Sequence, residues 1–511
     1  MSGRGDVANV DSAGRNVLAI DIGSSSVRAG VADATGKLFS TERRAPAMRE
    51  QGDAGDLAVE FDPEQMWNLV IETARAAVSG LAIDSKSIAG VAVTSQRQGI
   101  ALLDRDGKTL YAGPNNDMRA VFQGAAIDEE HADLVWRTTG HLPSHLAAWA
   151  RIRWFQEERP ALFDRISAVV TLSDWIAFRL TGELSVNHAA GVEAGLIELQ
   201  TGEPASDIAE ALGLSRVSVP RPAAPLAASG SLRADVAEAL GLGSDIPVFN
   251  AGPDTHTGLY GMGVTAPGAT GIVAGWSCAV QRVTDCPLLD PERGLWAGRH
   301  VEPGRWILES NLGIMGGAYS WLCGLISPGH DSGEAMNRLN RDVLDAPAGG
   351  SGLTAHLGPA LTNMSSAELR AGGLVFPVPL ALQAPTPGEI ARAALEGFGF
   401  AIKSGIERID ELSGTPSTSL ATSLALGGGM IRSSAFAELL ASILGREIEV
   451  GGADATLSGA AMLAGRALEG SAGPNAALTI RVSPDRALSS DYEYLYEEWL
   501  QRTRALGEMP V

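Results

Sequence analysis

The run Val17-Leu18-Ala19-Ile20-Asp21-Ile22-Gly23-Ser24-Ser25-Ser26-Val27-Arg28-Ala29-Gly30-Val31-Ala32 sets two apolar segments on either side of a short polar one. Residues 17–20 and 27–32 predict strands, and residues 21–26 predict the tight turn between them. Asp21, Ser24, Ser25 and Arg28 bring a carboxylate, hydroxyls and a guanidinium to that turn, beside exposed amides. Such groups hold the terminal phosphates of a nucleotide and its Mg2+. Read alone, the same residues also make an ordinary hairpin turn.

Outward from this hairpin, a turn at residues 33–37 returns the chain as a third strand. Asp62 then caps a helix with Pro63 in its first turn and Met66, Leu69, Val70, Thr73 and Ala77 on its inner face. Residues 87–95 and 99–103 predict another strand pair, closed by a turn at 104–108. Near the middle of the chain the opening pattern returns: strand 269–274, turn Gly275-Trp276-Ser277, strand 278–283. Two such hairpins suggest two related halves. A Pro- and Ala-rich stretch at 215–230 and a strand at 246–250 place the boundary near residue 250, giving domains 16–250 and 251–511 behind a loose tail of about 15 residues. The second half predicts a long helix over 389–412, a strand over 423–426, the turn Gly427-Gly428-Gly429 and a helix over 433–444 stopped by Gly445.

The glycine triplet lets a phosphate or a flat group approach the backbone, or is a plain loop; with the Asp21 turn it favours a nucleotide cleft. Asp254 follows a strand among Gly252, Pro253, Gly258, Gly261 and Gly263, a setting in which a carboxylate faces a cleft. Most acids of such a chain are surface charges. Arg97 and Gln98 at one strand end, with Asn115, Asn116, Asp117 and Arg119 after Leu110, suit a polyhydroxylated ligand or form a polar loop. Gly107-Lys108-Thr109 lacks the leading glycine of a Walker loop, Leu102 standing in its place, and the glycines after Asp254 do not spell a dinucleotide fingerprint. The histidines show no metal spacing. Of the tryptophans, Trp136, Trp154, Trp175 and Trp321 are expected in the core or at domain contacts.

An excess of 60 Asp+Glu over 39 Lys+Arg, net −21, repels phosphate backbones and anionic membrane surfaces, so neither nucleic acid nor membrane is an expected partner. A nucleotide still binds locally where backbone amides and a counter-cation meet it. Cys278, Cys286 and Cys323 form no C-x-x-C and argue against disulfides or structural zinc, which fits a reducing cytoplasm. No stretch reaches the roughly 18 apolar residues that span a bilayer.

The order of these motifs resembles the FGGY carbohydrate kinases of the actin-like ATPase superfamily, over about residues 17–467. The matching residues are Asp21 to Arg28, Gln96-Arg97-Gln98, Asn116-Asp117-Met118-Arg119, Ser173-Asp174-Trp175, Arg179-Leu180-Thr181-Gly182-Glu183, Asp254, and Gly427 to Met430. The resemblance implies an α/β fold of two RNase H-like domains with a cleft between them, sugar bound by the first and ATP by the second. It also implies closure about residues 250–254 and near the 389–412 helix, and leaves a homodimer open.

In that family Asp254 corresponds to the general base for the attacking hydroxyl, and Asp21 helps to hold Mg2+ through water. Ser24, Ser25, Arg28, Gly275 and Ser277 line the phosphate path, Gly428, Gly429 and Met430 border the adenosine, and Gln96, Arg97, Gln98 and Asp117 face the sugar. Three features depart from the pattern: Trp276 stands where a phosphate-binding Thr is usual, Asn115 and Gln96-Arg97-Gln98 differ from the pentulose kinases, and Ala381-Leu382-Gln383 replaces a common Gly-Glu-Arg. The implied activity is ATP- and Mg2+-dependent phosphorylation of a small sugar or polyol, xylulose kinase-like, autoinducer-2 kinase-like or polyol kinase-like. A sugar- or nucleotide-binding pseudokinase is the alternative that Trp276 raises. An actin- or chaperone-like ATPase would lack the loops at Arg97 and Asp117.

Overall fold

The computed structural model describes residues 15–46, 48–50, 57–80, 85–330, 332–360, 362–363, 368–376, 384–414, 423–452, 454–470 and 479–509. The expected tail, Arg15 excepted, and Ala381-Leu382-Gln383 lie outside them.

Two large sheets organise these residues. The first is built from β1 (Asn16–Ile22), β2 (Val27–Ala32), β3 (Leu38–Arg44), β4 (Ile88–Ser95), β5 (Ala228–Ser231) and β6 (Pro247–Pro253), in the order β3-β2-β1-β4-β6-β5. The second is built from β7 (Thr270–Ala274), β8 (Ser277–Thr284), β9 (Trp296–Arg299), β10 (Trp306–Ile314), β11 (Leu424–Gly427), β12 (Ile448–Gly451) and β13 (Thr479–Val482), in the order β9-β10-β8-β7-β11-β12-β13. With β9 set aside, both sheets have the same order and the same directions. Three antiparallel strands (β3-β2-β1, β10-β8-β7) are followed by two parallel ones (β4-β6, β11-β12) and an antiparallel edge (β5, β13). The chain is thus a duplicated α/β fold, as its two hairpins suggested.

The strands form where apolar residues run unbroken. All seven residues of β1 are buried, as expected for a strand covered on both faces. Helix α1 (Pro63–Ser79) starts at Asp62, whose side chain accepts from the amides of Glu64 and Gln65, and buries Met66, Val70, Thr73 and Ala77, with Leu69 only partly covered. The long helix α4 (Pro387–Ser413) starts with a Thr386–Glu389 capping box, and α5 (Ser434–Leu444) ends at Gly445 in the left-handed conformation.

Three expectations are corrected. Residues 88–95 and 100–103 do not pair, because β4 already has β1 and β6 on its two edges. Ile100–Leu103 instead pairs with Thr109–Gly113 and Ala168–Thr171 in a separate five-stranded sheet, and the turn at 104–108 closes that hairpin. Asp21 belongs to β1 itself and sits opposite Arg28 in register, not on the turn. Trp321 is 61% exposed, unlike the buried Trp136, Trp154 and Trp175.

Helix α2 (Asp254–Gly261) follows β6 directly, and α6 (Ala455–Glu469) occupies the corresponding place after β12. These two helices cross at very short range. A Cβ on Gly261 would lie 2.1 Å from the Ala455 carbonyl oxygen, and one on Gly459 would lie 2.0 Å from that of Thr257, so both positions need glycine. Helix α6 also covers the first sheet, Leu457, Ala460, Ala461 and Leu463 packing with Val17, Ala19, Ala92 and Phe249. The second half therefore supplies part of the first half's core, and the crossing fixes the start of α2.

Candidate active site

Asp21 and Arg28 face each other across the first hairpin. The Arg28 guanidinium donates two hydrogen bonds to Asp21 Oδ2, the Nε contact at 2.9 Å, and reaches Asp454 Oδ1 at 3.4 Å. Asp454 precedes α6, so this second contact joins the two halves. Asp21 is 1% exposed, and its Oδ1 has no hydrogen-bond partner among the described residues. A buried carboxylate oxygen without a donor fits a hydrated Mg2+ in its neighbourhood. The turn beyond β1 is closed by the Gly23 amide donating to the Ser26 carbonyl at 2.9 Å, which leaves Ser24 and Ser25 on the outside.

Asp254 starts α2 at the end of β6. Burial, then the charge of Asp21, push its carboxyl up to about 6, while Arg97, the Thr255 amide and Arg28 pull the other way. The Thr255 amide donates to Asp254 Oδ1 at 2.8 Å. Two carboxylates and two guanidiniums, Asp21, Asp254, Arg28 and Arg97, thus share one electrostatic site.

Arg97 is the centre of a network that no local motif announces. Its Nη1 donates to both oxygens of Glu309, at 2.8 and 2.7 Å, and lies 3.4 Å from Glu193 Oε2. Glu193 Oε1 lies 3.3 Å from both His141 Nε2 and His256 Nε2, and Gln281 and Asn311 donate to Glu309. Burial opposes the charge on Glu193, yet His141 and Arg97 outweigh it and hold this carboxyl well below its usual range. Burial likewise lowers the His141 imidazolium, and Glu193 more than restores it, so the His141 pKa is raised. Glu193, His256 and Glu309 offer ligand atoms within 4.8 Å of one another. Arg97 already supplies the positive charge there, so this cluster is a poor place for a dication. Only His256, two residues after Asp254, was near enough in sequence to be noticed.

Beside this network lies a small cavity of about 10 Å³ lined by Gln98, His141, Glu193 and Trp296. Gln98 has φ 61, a backbone conformation that costs a residue with a Cβ, and its carbonyl is held by the buried Arg151. Gln96 is buried and accepts from the Asn115 amide at 3.1 Å, which ties the two predicted sugar loops together. Asp117 is buried farther back. Its oxygens accept from Tyr111, from Arg119 at 2.7 Å and from the Val59 amide at 3.1 Å, so it braces the loop that carries Asn115.

In the second half, the Gly275 amide donates to the Ser277 carbonyl at 2.8 Å, closing a turn like the one at Gly23. The carbonyls of Gly275 and Trp276 accept from the first amides of helix α3 (Gly316–Ile326) and from Met315. The Trp276 indole is 69% exposed and lies over Gly317. Gly428 has φ 91, and a Cβ there would strike the Ala274 backbone at 2.5 Å; Gly429 faces open space, and Met430 is buried.

The description FGGY family of carbohydrate kinases, N-terminal domain, fits residues 16–261, and the C-terminal domain of the same family fits residues 271–468. Over 493 residues the chain is 26% identical to YoaC of Bacillus subtilis, named as a sugar kinase, covering 96% of this chain and 97% of that protein. It is 30% identical over 319 residues to the autoinducer-2 kinase of Salmonella paratyphi A, covering 60% of this chain and 59% of that protein. In fold it is similar to the xylulose kinase from Rhodospirillum rubrum, with TM-score 0.80 and 22% identity over 96% of this chain and 99% of the other. The gluconate kinase from Lactobacillus acidophilus has TM-score 0.83 and 20% identity, over 97% and 98% of the two chains.

Proposed function

The chain belongs to the FGGY family of carbohydrate kinases, an ATP-dependent sugar kinase, and on that premise we propose that Asp254 is the general base for a hydroxyl of a small sugar or polyol. The observation that carries this reading is Asp254 itself: a half-buried carboxyl at a helix start, sharing one electrostatic site with Asp21, Arg28 and Arg97 and pushed up to about 6. A base poised just below neutrality is ionised when it is needed and accepts a proton readily.

In the proposed reaction the hydroxyl oxygen forms a bond to the γ-phosphorus of ATP as the bond to the β-bridging oxygen breaks, and the hydroxyl proton passes to Asp254. Asp21 would help to hold Mg2+ through water, and the ion would supply charge neutralisation at the phosphates. Ser24, Ser25, Arg28, Gly275 and Ser277 border the phosphate path, and Gly428, Gly429 and Met430 the adenosine. Arg97 and Gln98, with Gln96 and Asp117 behind them, orient the sugar. To these we add Glu193, which faces the cavity beside Gln98 and accepts hydroxyl hydrogen bonds while Arg97 and His141 keep it ionised. Residues 16–250 would carry the sugar and 251–511 the ATP, in a cytoplasmic enzyme.

Sugar-dependent ADP release with Mg·ATP, measured across pentuloses, hexuloses, tetritols, aldonates and the autoinducer-2 precursor, tests the reading. A substrate-specific signal abolished by Asp254→Ala supports it. Nucleotide binding with silence across the panel favours the pseudokinase that exposed Trp276 brings to mind.

A further inference from the structure

Against the part of β6 that precedes Asp254 lies a cavity of about 160 Å³. Its walls come from both halves: the segments around His188 and Leu226 and the strand residues Phe249 to Ala251 from the first, and Arg299 to Arg305 with Leu463 from the second. The charged lining is two arginines, Arg299 and Arg305; His188 and His300, whose pKa values burial lowers, are neutral, as are Ser185, Asn187 and Ser229. In a chain with net charge −21, that composition runs against the overall field.

Neither arginine has a carboxylate partner among the described residues. Arg299 donates to the carbonyls of Leu199, at 2.8 Å, and Gln200, and stacks 5.7 Å from the Trp306 ring; burial alone lowers its pKa. Arg305 donates to the adjacent Gly304 carbonyl at 3.0 Å. Glu302, the acid in the same loop, is tied to Arg466, and Glu203 acts on His188. A half-buried guanidinium without a counter-charge pays for desolvation and gains no ion pair, unless an anion arrives. Leu226, on the cavity wall, holds φ 60, a strained conformation for a leucine. The volume is far larger than an inorganic ion needs, and Phe249, Val301, Leu226 and Leu463 give it an apolar side.

We propose that this cavity is a second ligand site, for a small organic anion whose phosphate or carboxylate meets Arg299 and Arg305 and whose carbon skeleton lies on Phe249 and Leu463. It is separate from the phosphate path at Arg28. Because both halves line it, an occupant bridges them, and Asn250 and Ala251 lie just ahead of Asp254 on the same strand.

The full chain is tested by hydrogen–deuterium exchange and calorimetry, with glucose 6-phosphate, citrate and inorganic phosphate as probes, in the presence of a saturating non-hydrolysable ATP analogue that occupies the catalytic cleft. Expected is saturable protection of residues 223–229 and 299–305 by an organic anion, with affinity reduced tenfold or more by Arg305→Glu and by Arg299→Gln. Glucose 6-phosphate binding would identify a phosphate site and citrate binding a carboxylate site. Arg305→Glu is the safer variant, since among the described residues the Arg305 guanidinium donates only to the carbonyl of its neighbour Gly304. Sugar-dependent turnover without added anion stays at the wild-type level in Arg305→Glu. Protection by none of the probes, binding of inorganic phosphate alone, or equal affinity in Arg305→Glu overturns the proposal.

Discussion

The strand β4 leads into Gln96-Arg97-Gln98, and its counterpart β11 leads into Gly428-Gly429-Met430. In the same way β6 leads into Asp254 and β12 towards Asp454, and the register pair Asp21–Arg28 of the first hairpin corresponds by position to Val273–Ala279 of the second. One backbone plan is thus used twice with opposite chemistry. In the first half the strand ends carry charge and hydrogen-bonding side chains; in the second they carry glycines and an exposed indole. The frame supplies positions, and side chains at a few of them supply the function.

The largest contrast is between the two aspartates. Asp254→Ala is expected to lower sugar-dependent kcat by about 10³-fold or more, within the range for loss of a general base, while nucleotide affinity is kept. Asp454→Ala removes only a 3.4 Å contact to Arg28 from a partly exposed carboxylate, and its effect on kcat should stay within about fivefold. Equal losses in the two variants, measured by coupled ADP release, would break the distinction.

The hairpins differ next. Arg28→Met leaves Asp21 buried without its cation, at a cost of about 3–5 kcal/mol in unfolding free energy, read from urea denaturation. Val273→Ala, at the place of Asp21, removes two methyl groups and costs about 1–2 kcal/mol.

The third contrast is in pH. Asp254 must be ionised to accept a proton, so kcat/KM falls as pH drops through about 6. Asp21→Asn removes the like charge that raises Asp254, and the acid limb moves to lower pH. Arg97→Gln removes a positive charge that lowers it, and the limb moves to higher pH. Limbs that move the opposite way would show that another group titrates. The smallest change is expected at the second turn. Trp276→Thr exposes little core, since the indole is 69% exposed, and a hydroxyl there should lower the KM for ATP by about three- to tenfold, the net worth of one ordinary hydrogen bond.

Much of the frame was legible because it is written locally. Apolar runs, a capping aspartate before Pro63 and glycines after strands mark elements within a few residues of each other. The pairing of 88–95 with 100–103 misled because two adjacent apolar runs look the same whether they share a sheet or part at a corner; Gln98 in its strained conformation lies between them. Trp321 misled because one large apolar side chain says nothing of which helix face it occupies. At the site, Asp21, Arg28, Arg97 and Asp254 were visible as motifs that the fold brings into one field. Glu193 and Glu309 were not, for their meaning lies in contacts with Arg97 across 96 and 212 positions of sequence.

That last separation bears on the order in which the protein is made. Synthesis proceeds at about 5–20 residues per second, so Arg97 leaves the ribosome roughly 10–40 s before Glu309 does. The first half can assemble β1 to β4 in that interval, yet the Arg97 guanidinium has no carboxylate from β10, and its sheet no cover from α6. A nascent chain stalled before residue 309 should therefore carry an unpartnered Arg97 and an exposed apolar sheet, a state for chaperones to hold until the second half emerges.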